Sequence, residues 1–213
     1  MKLGTPLIVD TKLPFQEYIQ NLSKHARKDY KYVIKHNQDL RYGLVEFRPQ
    51  DVDKFMQIWS QQIIHGNEEV RWGFDIGHVK NLHEQGVLRV FEARSNEAIA
   101  MHFVEQHGEY IEAHPPMYDK KYNTRYLAKY MWFNLIKWCT ENEIKWLDLG
   151  SGDRGTWRQL LENREKYQRI KYKWLYIAEA VKLQPALQPH YMRYEENGTK
   201  GICEVDIATG QTI

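Results

Sequence analysis

Three stretches of this sequence hold side chains whose types and spacing can do chemistry. In Glu109–His114, Glu112 and His114 stand two residues apart, so a strand turns both to one face. A carboxylate and an imidazole placed together can take up and release protons near neutral pH. His102, in the apolar run Ala98–Gln106, is a further imidazole. The second stretch is Tyr122-Asn123-Thr124-Arg125-Tyr126-Leu127-Ala128, which opens a helical pattern and has Lys120, Lys121 and Lys129 around it. Helix N-termini present unpaired N–H groups and a positive dipole end, which suit a phosphate. The third is the string Trp146–Gly155, where an apolar strand ends in Asp148-x-Gly150-x-Gly152. Glycines there let backbone approach a ligand. Each stretch also has a plainer reading: strand histidines are mostly packed or solvated, lysine runs are mostly solvated faces, and Asp148 and Asp153 readily close turns.

These residues must be positioned by elements that the periodicities outline. Pro14 to about Asn37 reads as one amphipathic helix, with Phe15, Tyr18, Ile19, Leu22, Ala26, Tyr30, Val33 and Ile34 on its apolar face. Arg41–Arg48 reads as a strand, Pro49 through Ile64 as a helix, and residues 65–75 as a polar loop. Ile76–Gln85 is a short helix stopped by Gly86. Val87–Arg94, Ala98–Gln106 and Glu109–His114 form an antiparallel meander broken at Ser95-Asn96-Glu97 and His107-Gly108, and Pro115-Pro116 ends it. A long helix follows from about Thr124 to Asn142, then a short buried strand at Trp146–Leu149, a glycine turn, a helix from Thr156 to Tyr167 and a strand at Ile170–Ile177. The order predicts an α/β (α+β) fold with a mixed central sheet. Residues 1–178 read as one domain and 179–213 as a C-terminal appendage, with a hairpin turning at Asn197-Gly198.

Composition bounds the rest. The chain has 213 residues and a formal net charge of +2, so no global field demands a nucleic-acid partner. Its two cysteines, Cys139 and Cys203, have no zinc-type spacing, and no metal site is expected. Cys139 lies in an apolar helical run and reads as a small core residue. The low cysteine count suits a reducing compartment. No apolar h-region or membrane-length run is present, so a cytoplasmic protein without a membrane partner is expected.

The element order of residues 87–177 resembles the GNAT acyltransferase superfamily, in which a meander leads to a helix, a short strand, a second helix and a last strand. The sheet of those folds splays beside the strand before the long helix. More closely, the chain is similar to the branch near the Fem-type peptidoglycan aminoacyltransferases over roughly residues 13–177. The motifs that carry this are Leu22-Ser23-Lys24-His25-Ala26-Arg27-Lys28, Ala98–Phe103, Tyr118-Asp119-Lys120-Lys121-Tyr122, and Asp148–Asp153 followed by Trp157-Arg158. The resemblance implies a GNAT-like splayed sheet and an acyl-CoA-dependent N-acyltransferase. The co-substrate is then acetyl-CoA, and the acceptor an amine of a sugar, a small metabolite or a modified nucleobase. In that frame Glu112, His114, His102 or Asp148 serves as base and Tyr167 protonates the leaving thiolate. Asn123, Thr124, Arg125, Tyr126, Lys129 and Arg158 hold the cofactor. The phosphate loop of many GNAT proteins carries glycines that residues 122–128 lack.

Three other readings stand beside it. Fem-like aminoacyl transfer from charged tRNA is one, although this chain has room for a single GNAT-like unit and no heptad arm. A second is a nucleic-acid-binding module using Lys24, Arg27, Lys28, Lys31 and Lys35 with Tyr30 and Tyr32. The third is an S-adenosylmethionine-dependent methyltransferase, suggested by Asp148-x-Gly150-x-Gly152. Arg154 stands where that motif has a third glycine, and only 63 residues follow Gly150, too few for the remaining strands.

Overall fold

The computed structural model describes residues 2–4, 8–11, 13–22, 24–48, 76–96, 99–114, 116–118, 122, 125–149 and 191–204. The helix expected at 49–64, the loop at 65–75 and the whole span 150–177 lie outside the described residues. The chain forms two compact units: Met1–Lys28, His107–Glu112 and Ile136–Ile213 make one, and Asp29–Gln106 with Ala113–Leu135 the other.

The expected first helix is two helices, α1 (Phe15–Asn21) and α2 (Lys24–His36). Leu22 leaves the helical region with ψ 157°. The break is satisfied locally, because the Arg27 guanidinium donates to the carbonyl of Gln20 at 2.8 Å and also to that of Leu22. A helix end needs partners for its last carbonyls, and a basic side chain nearby supplies them. Periodicity alone misses the break because Phe15, Tyr18, Ile19, Leu22, Ala26 and Val33 are all buried across it.

The strands of the main sheet run in the order β2-β8-β6-β5-β4-β3. β3 (Arg41–Val45), β4 (Leu88–Arg94) and β5 (Ile99–His107) pair antiparallel, with Leu44↔Phe91 and Phe91↔His102 in register. β5 turns at Gly108, whose φ of +60° suits glycine, into β6 (Tyr110–Ala113). Among the described residues, two strands of this sheet were not foreseen. After the prolines, β7 (Met117–Tyr118) returns to pair with Ala100 and Met101 of β5. Near the N-terminus, β2 (Ile8–Asp10) pairs antiparallel with β8 (Trp146–Asp148). The mixed character comes from β8, which lies parallel to β6. A parallel pair needs a long crossover, and the chain between these strands includes a helix, α4 (Leu127–Glu141). A second sheet joins β1 (Lys2–Gly4) to the hairpin of β9 (Tyr191–Glu196) and β10 (Thr199–Glu204). The hairpin turns at Asn197 and Gly198, with φ of +50° and +77°, as a two-residue turn of the primed type requires.

The helix α3 (Ile76–Glu84) is held to the sheet by Val79 and Leu82, which bury against Leu88, Val90, Met101, Phe103 and Met117. In the other unit, Val9, Ile111, Ile136, Cys139 and Leu147 are fully buried. Burial pushes the Cys139 thiol up, so it is a core residue and no nucleophile. Among the described residues no helix is long and apolar enough to cross a membrane.

Because Leu82 of α3 is buried in this cluster beside Val79, Leu82→Ala is expected to cost about 2–5 kcal/mol through lost burial and the cavity left behind. Urea unfolding monitored by tryptophan fluorescence measures it.

Candidate functional site

The parallel ladder of β6 and β8 runs Tyr110↔Trp146, Ile111↔Leu147, Glu112↔Asp148. Residues directly paired in a parallel ladder turn to the same face, so the ladder ends with two carboxylates side by side. One step farther on, the His114 N–H donates to the carbonyl of Phe103 in β5 at 3.1 Å. In open α/β sheets the carboxyl ends of parallel strands are where ligands collect.

The two carboxylates are stabilised differently. Asp148 is fully buried and accepts a hydrogen bond from the Tyr110 hydroxyl at 2.9 Å. A buried carboxylate is costly without such partners. Glu112 is 13% exposed at its side chain and pairs with Lys200 Nζ of β10 at 2.7 Å. Lys200 was missed by sequence reasoning. It lies 88 residues from Glu112, and no local pattern connects a hairpin lysine with a strand so far away.

His114 does not share its partner with Glu112. Its Nε2 lies 3.0 Å from Oε1 of Glu105, and His78 Nε2 of α3 lies 3.4 Å from the same oxygen. Glu105 is buried. Neither His78 nor Glu105 was singled out in the sequence, and the expectation that no metal site exists did not foresee this two-histidine, one-carboxylate cluster. A signal was available for Glu105. It continues the i, i+2 face of Met101 and Phe103, both core residues, where a carboxylate must find a partner.

His102 is placed in the core. It is fully buried, edge-on to Trp132 with ring centroids 4.4 Å apart, and neither ring nitrogen makes a well-formed hydrogen bond among the described residues. Burial drives its pKa down to about 3, more than the adjacent His114 backbone raises it. A group that weakly basic does not take a proton from an amine.

The residues expected at the phosphate site are placed in part. The long helix starts at Leu127, not near Asn123, and Tyr126 before it has a left-handed φ of +53°. The Arg125 guanidinium donates from Nε to Asn37 Oδ1 at 3.1 Å and from Nη2 to Asp39. Asn37, nearly fully buried, donates in turn to the carbonyls of Arg125 and Val33, both at 2.8 Å. Lys129 Nζ pairs with Asp29 at 2.6 Å and lies 5.4 Å from the Tyr126 ring centroid. These cations are engaged in tying the start of α4 to α2 and the turn after it. Asn123, Thr124, Arg158 and Tyr167 lie outside the described residues.

The Acetyltransferase (GNAT) domain family matches residues 24–169. This chain belongs to the GNAT acetyltransferase family. Its mixed sheet with helices is consistent with that fold, and it is an acyltransferase domain, which leaves the methyltransferase reading without support. Among solved structures, the GNAT domain is similar to the C-terminal DUF2156 domain of a protein named as a lysylphosphatidylglycerol synthetase from Agrobacterium fabrum. The two are 14% identical with a TM-score of 0.51, over 87% of this chain and 58% of that one. It is also similar to a conserved protein of unknown function from Bacteroides thetaiotaomicron, 13% identical with a TM-score of 0.50, over 79% of this chain and 56% of that one. The chain thus spans less than two thirds of either structure, and at these identities the likeness is one of fold. No curated protein matches the chain.

The unfolded chain protonates His102 near pH 6.5, whereas the folded chain does so only near pH 3. The unfolded state therefore binds more protons across that interval. The stability associated with the neutral ring is complete above pH 6.5 and declines toward pH 3, by on the order of a few kcal/mol. His102→Phe is expected to flatten that part of the stability–pH curve, measured by chemical denaturation from pH 4 to 8. Arg125→Ala, which leaves the buried Asn37 amide oxygen short of a donor, is expected to cost about 1–3 kcal/mol, seen as a lower urea midpoint.

Proposed function

We propose that this GNAT domain transfers an acyl group, acetyl foremost, from coenzyme A to an amine acceptor, with Glu112 as the proton acceptor. The observation that supports it is the end of the β6–β8 ladder, where Glu112 and Asp148 stand in register at the carboxyl ends of parallel strands. Glu112 is the more accessible of the two. The acceptor arrives as an ammonium and must lose a proton before it attacks. Glu112 takes that proton directly or through a water. The amine nitrogen then bonds to the thioester carbonyl carbon, the C–S bond breaks, and the thiolate leaves and is protonated. Lys200 positions the Glu112 carboxylate, and Asp148 with Tyr110 holds the neighbouring strand end. The acceptor is a small amine-bearing metabolite, sugar or nucleobase.

A second reading, aminoacyl transfer from charged tRNA, is favoured by one specific observation. Arg125 and Lys129, the cations expected to grip a coenzyme A diphosphate, are engaged with Asn37, Asp39 and Asp29. The solvent-exposed Lys28, Lys31, Lys35 and Tyr32 of α2 would suit an RNA-borne donor.

Titration of the full chain with acetyl-CoA, and separately with aminoacyl-tRNA, separates these readings. Acetyl-CoA is expected to raise Tm by roughly 5–10 °C at a hundredfold excess over Kd. Thiol release with a panel of amines should fall about 10²–10⁴-fold in Glu112→Gln while acetyl-CoA binding is kept. No Tm shift with acetyl-CoA, together with salt-sensitive binding of aminoacyl-tRNA, reverses the order of the two readings. Undiminished turnover in Glu112→Gln removes Glu112 as base.

A further inference from the structure

His78, Glu105 and His114 come from three separate elements: α3, β5 and the residue after β6. Their donor atoms all lie within 4.8 Å of one another. Both imidazoles approach one carboxylate oxygen through Nε2, His114 at 3.0 Å and His78 at 3.4 Å. Ligands around a tetrahedral zinc at about 2.0–2.1 Å sit roughly 3.3 Å apart. Two of the three edges of this cluster already have that separation, so a metal between the three atoms requires only small side-chain shifts. The backbone is fixed on each side. Val79, next to His78, is fully buried in the core cluster, and the His114 N–H is bonded to Phe103.

Exposure within the cluster is graded. The Glu105 side chain is 2% exposed, His114 21% and His78 37%. The anionic ligand is therefore sealed inside while the neutral ligands border solvent. That arrangement gives a cation a route in and leaves a coordination position for water, as in three-ligand zinc sites.

The geometry points to a divalent transition-metal site, zinc by ligand type, formed by His78 Nε2, Glu105 and His114 Nε2. Two histidines and one carboxylate with open positions also accept cobalt(II) or iron(II), so cobalt serves as an optical probe. The site shares no residue with the Glu112–Asp148 ladder end and stands apart from the acyl-transfer reading. Its effect on the fold is to pin α3 to β5 and to the turn after β6.

The test uses the full chain without a histidine tag, stripped by chelator and titrated with Co²⁺ and then Zn²⁺. One equivalent of Co²⁺ is expected to give visible bands of a low-coordinate ion, displaced by Zn²⁺. Zn²⁺ at a hundredfold excess over Kd is expected to raise Tm by roughly 5–10 °C. Glu105→Gln removes the anionic ligand with little change of shape. His78→Ala, at the exposed edge, keeps the fold in case the buried variant does not. Each should abolish the bands and the shift, with far-ultraviolet circular dichroism unchanged for His78→Ala. Glu112→Gln should bind metal like the parent, which separates this outcome from any failure of the catalytic reading. Absence of stoichiometric uptake by the parent, or equal uptake by His78→Ala, overturns the site.

Discussion

Parallel pairing of β6 with β8 is the constraint on which this architecture turns. Parallel neighbours cannot be joined by a tight turn, so the chain must travel a full crossover before the second strand can be laid down. α4 lies on that excursion, and its buried Leu127, Met131, Leu135, Ile136 and Cys139 supply the apolar surface that anchors it. Strands laid in the same direction finish at the same edge. This brings Glu112 beside Asp148 despite the helix between them in sequence.

A second theme is how the fold manages charge away from water. Asp148 is satisfied by a tyrosine hydroxyl, Glu112 by a lysine, and Glu105 by two imidazoles. Arg125 is held by an amide and a carboxylate, and Lys129 by a carboxylate. Removing one partner of a buried charged group costs more than the pair contributes. Such groups therefore lock the elements they join, as Asn37 and Arg125 do between the end of α2 and the start of α4. The Asp39 carboxyl is held below its usual range chiefly by the Arg125 hydrogen bond, although most of its surface meets solvent.

The distinction between family and chemistry follows from the same facts. The family match covers residues 24–169, and the fold is similar to that of proteins only 13–14% identical to this one. The two proposed donors, a thioester and an esterified RNA, would call on different side chains, those of the helix-opening segment and those of α2. In the first of these, Arg125 and Lys129 are paired with Asn37, Asp39 and Asp29.

Much of the scaffold was legible in the sequence. Alternating runs bounded by glycine and asparagine turns marked β4, β5, β6 and the Asn197-Gly198 hairpin, and the 3.6-residue period marked α3 and α4, because those signals are local. Glu112 was singled out because it stands two residues from His114 on a strand, and Asp148 because it ends an apolar strand. Only tertiary structure decided the rest. It exposed the break at Leu22, where Arg27 caps carbonyls that periodicity cannot register. It put His102 in a position where burial lowers its basicity, and it paired Arg125 and Lys129 with acidic partners. It also assembled His78 with Glu105 and His114, and Lys200 with Glu112. Those pairings depend on which surfaces meet across tens of residues, and pattern along the chain carries no distance information of that kind.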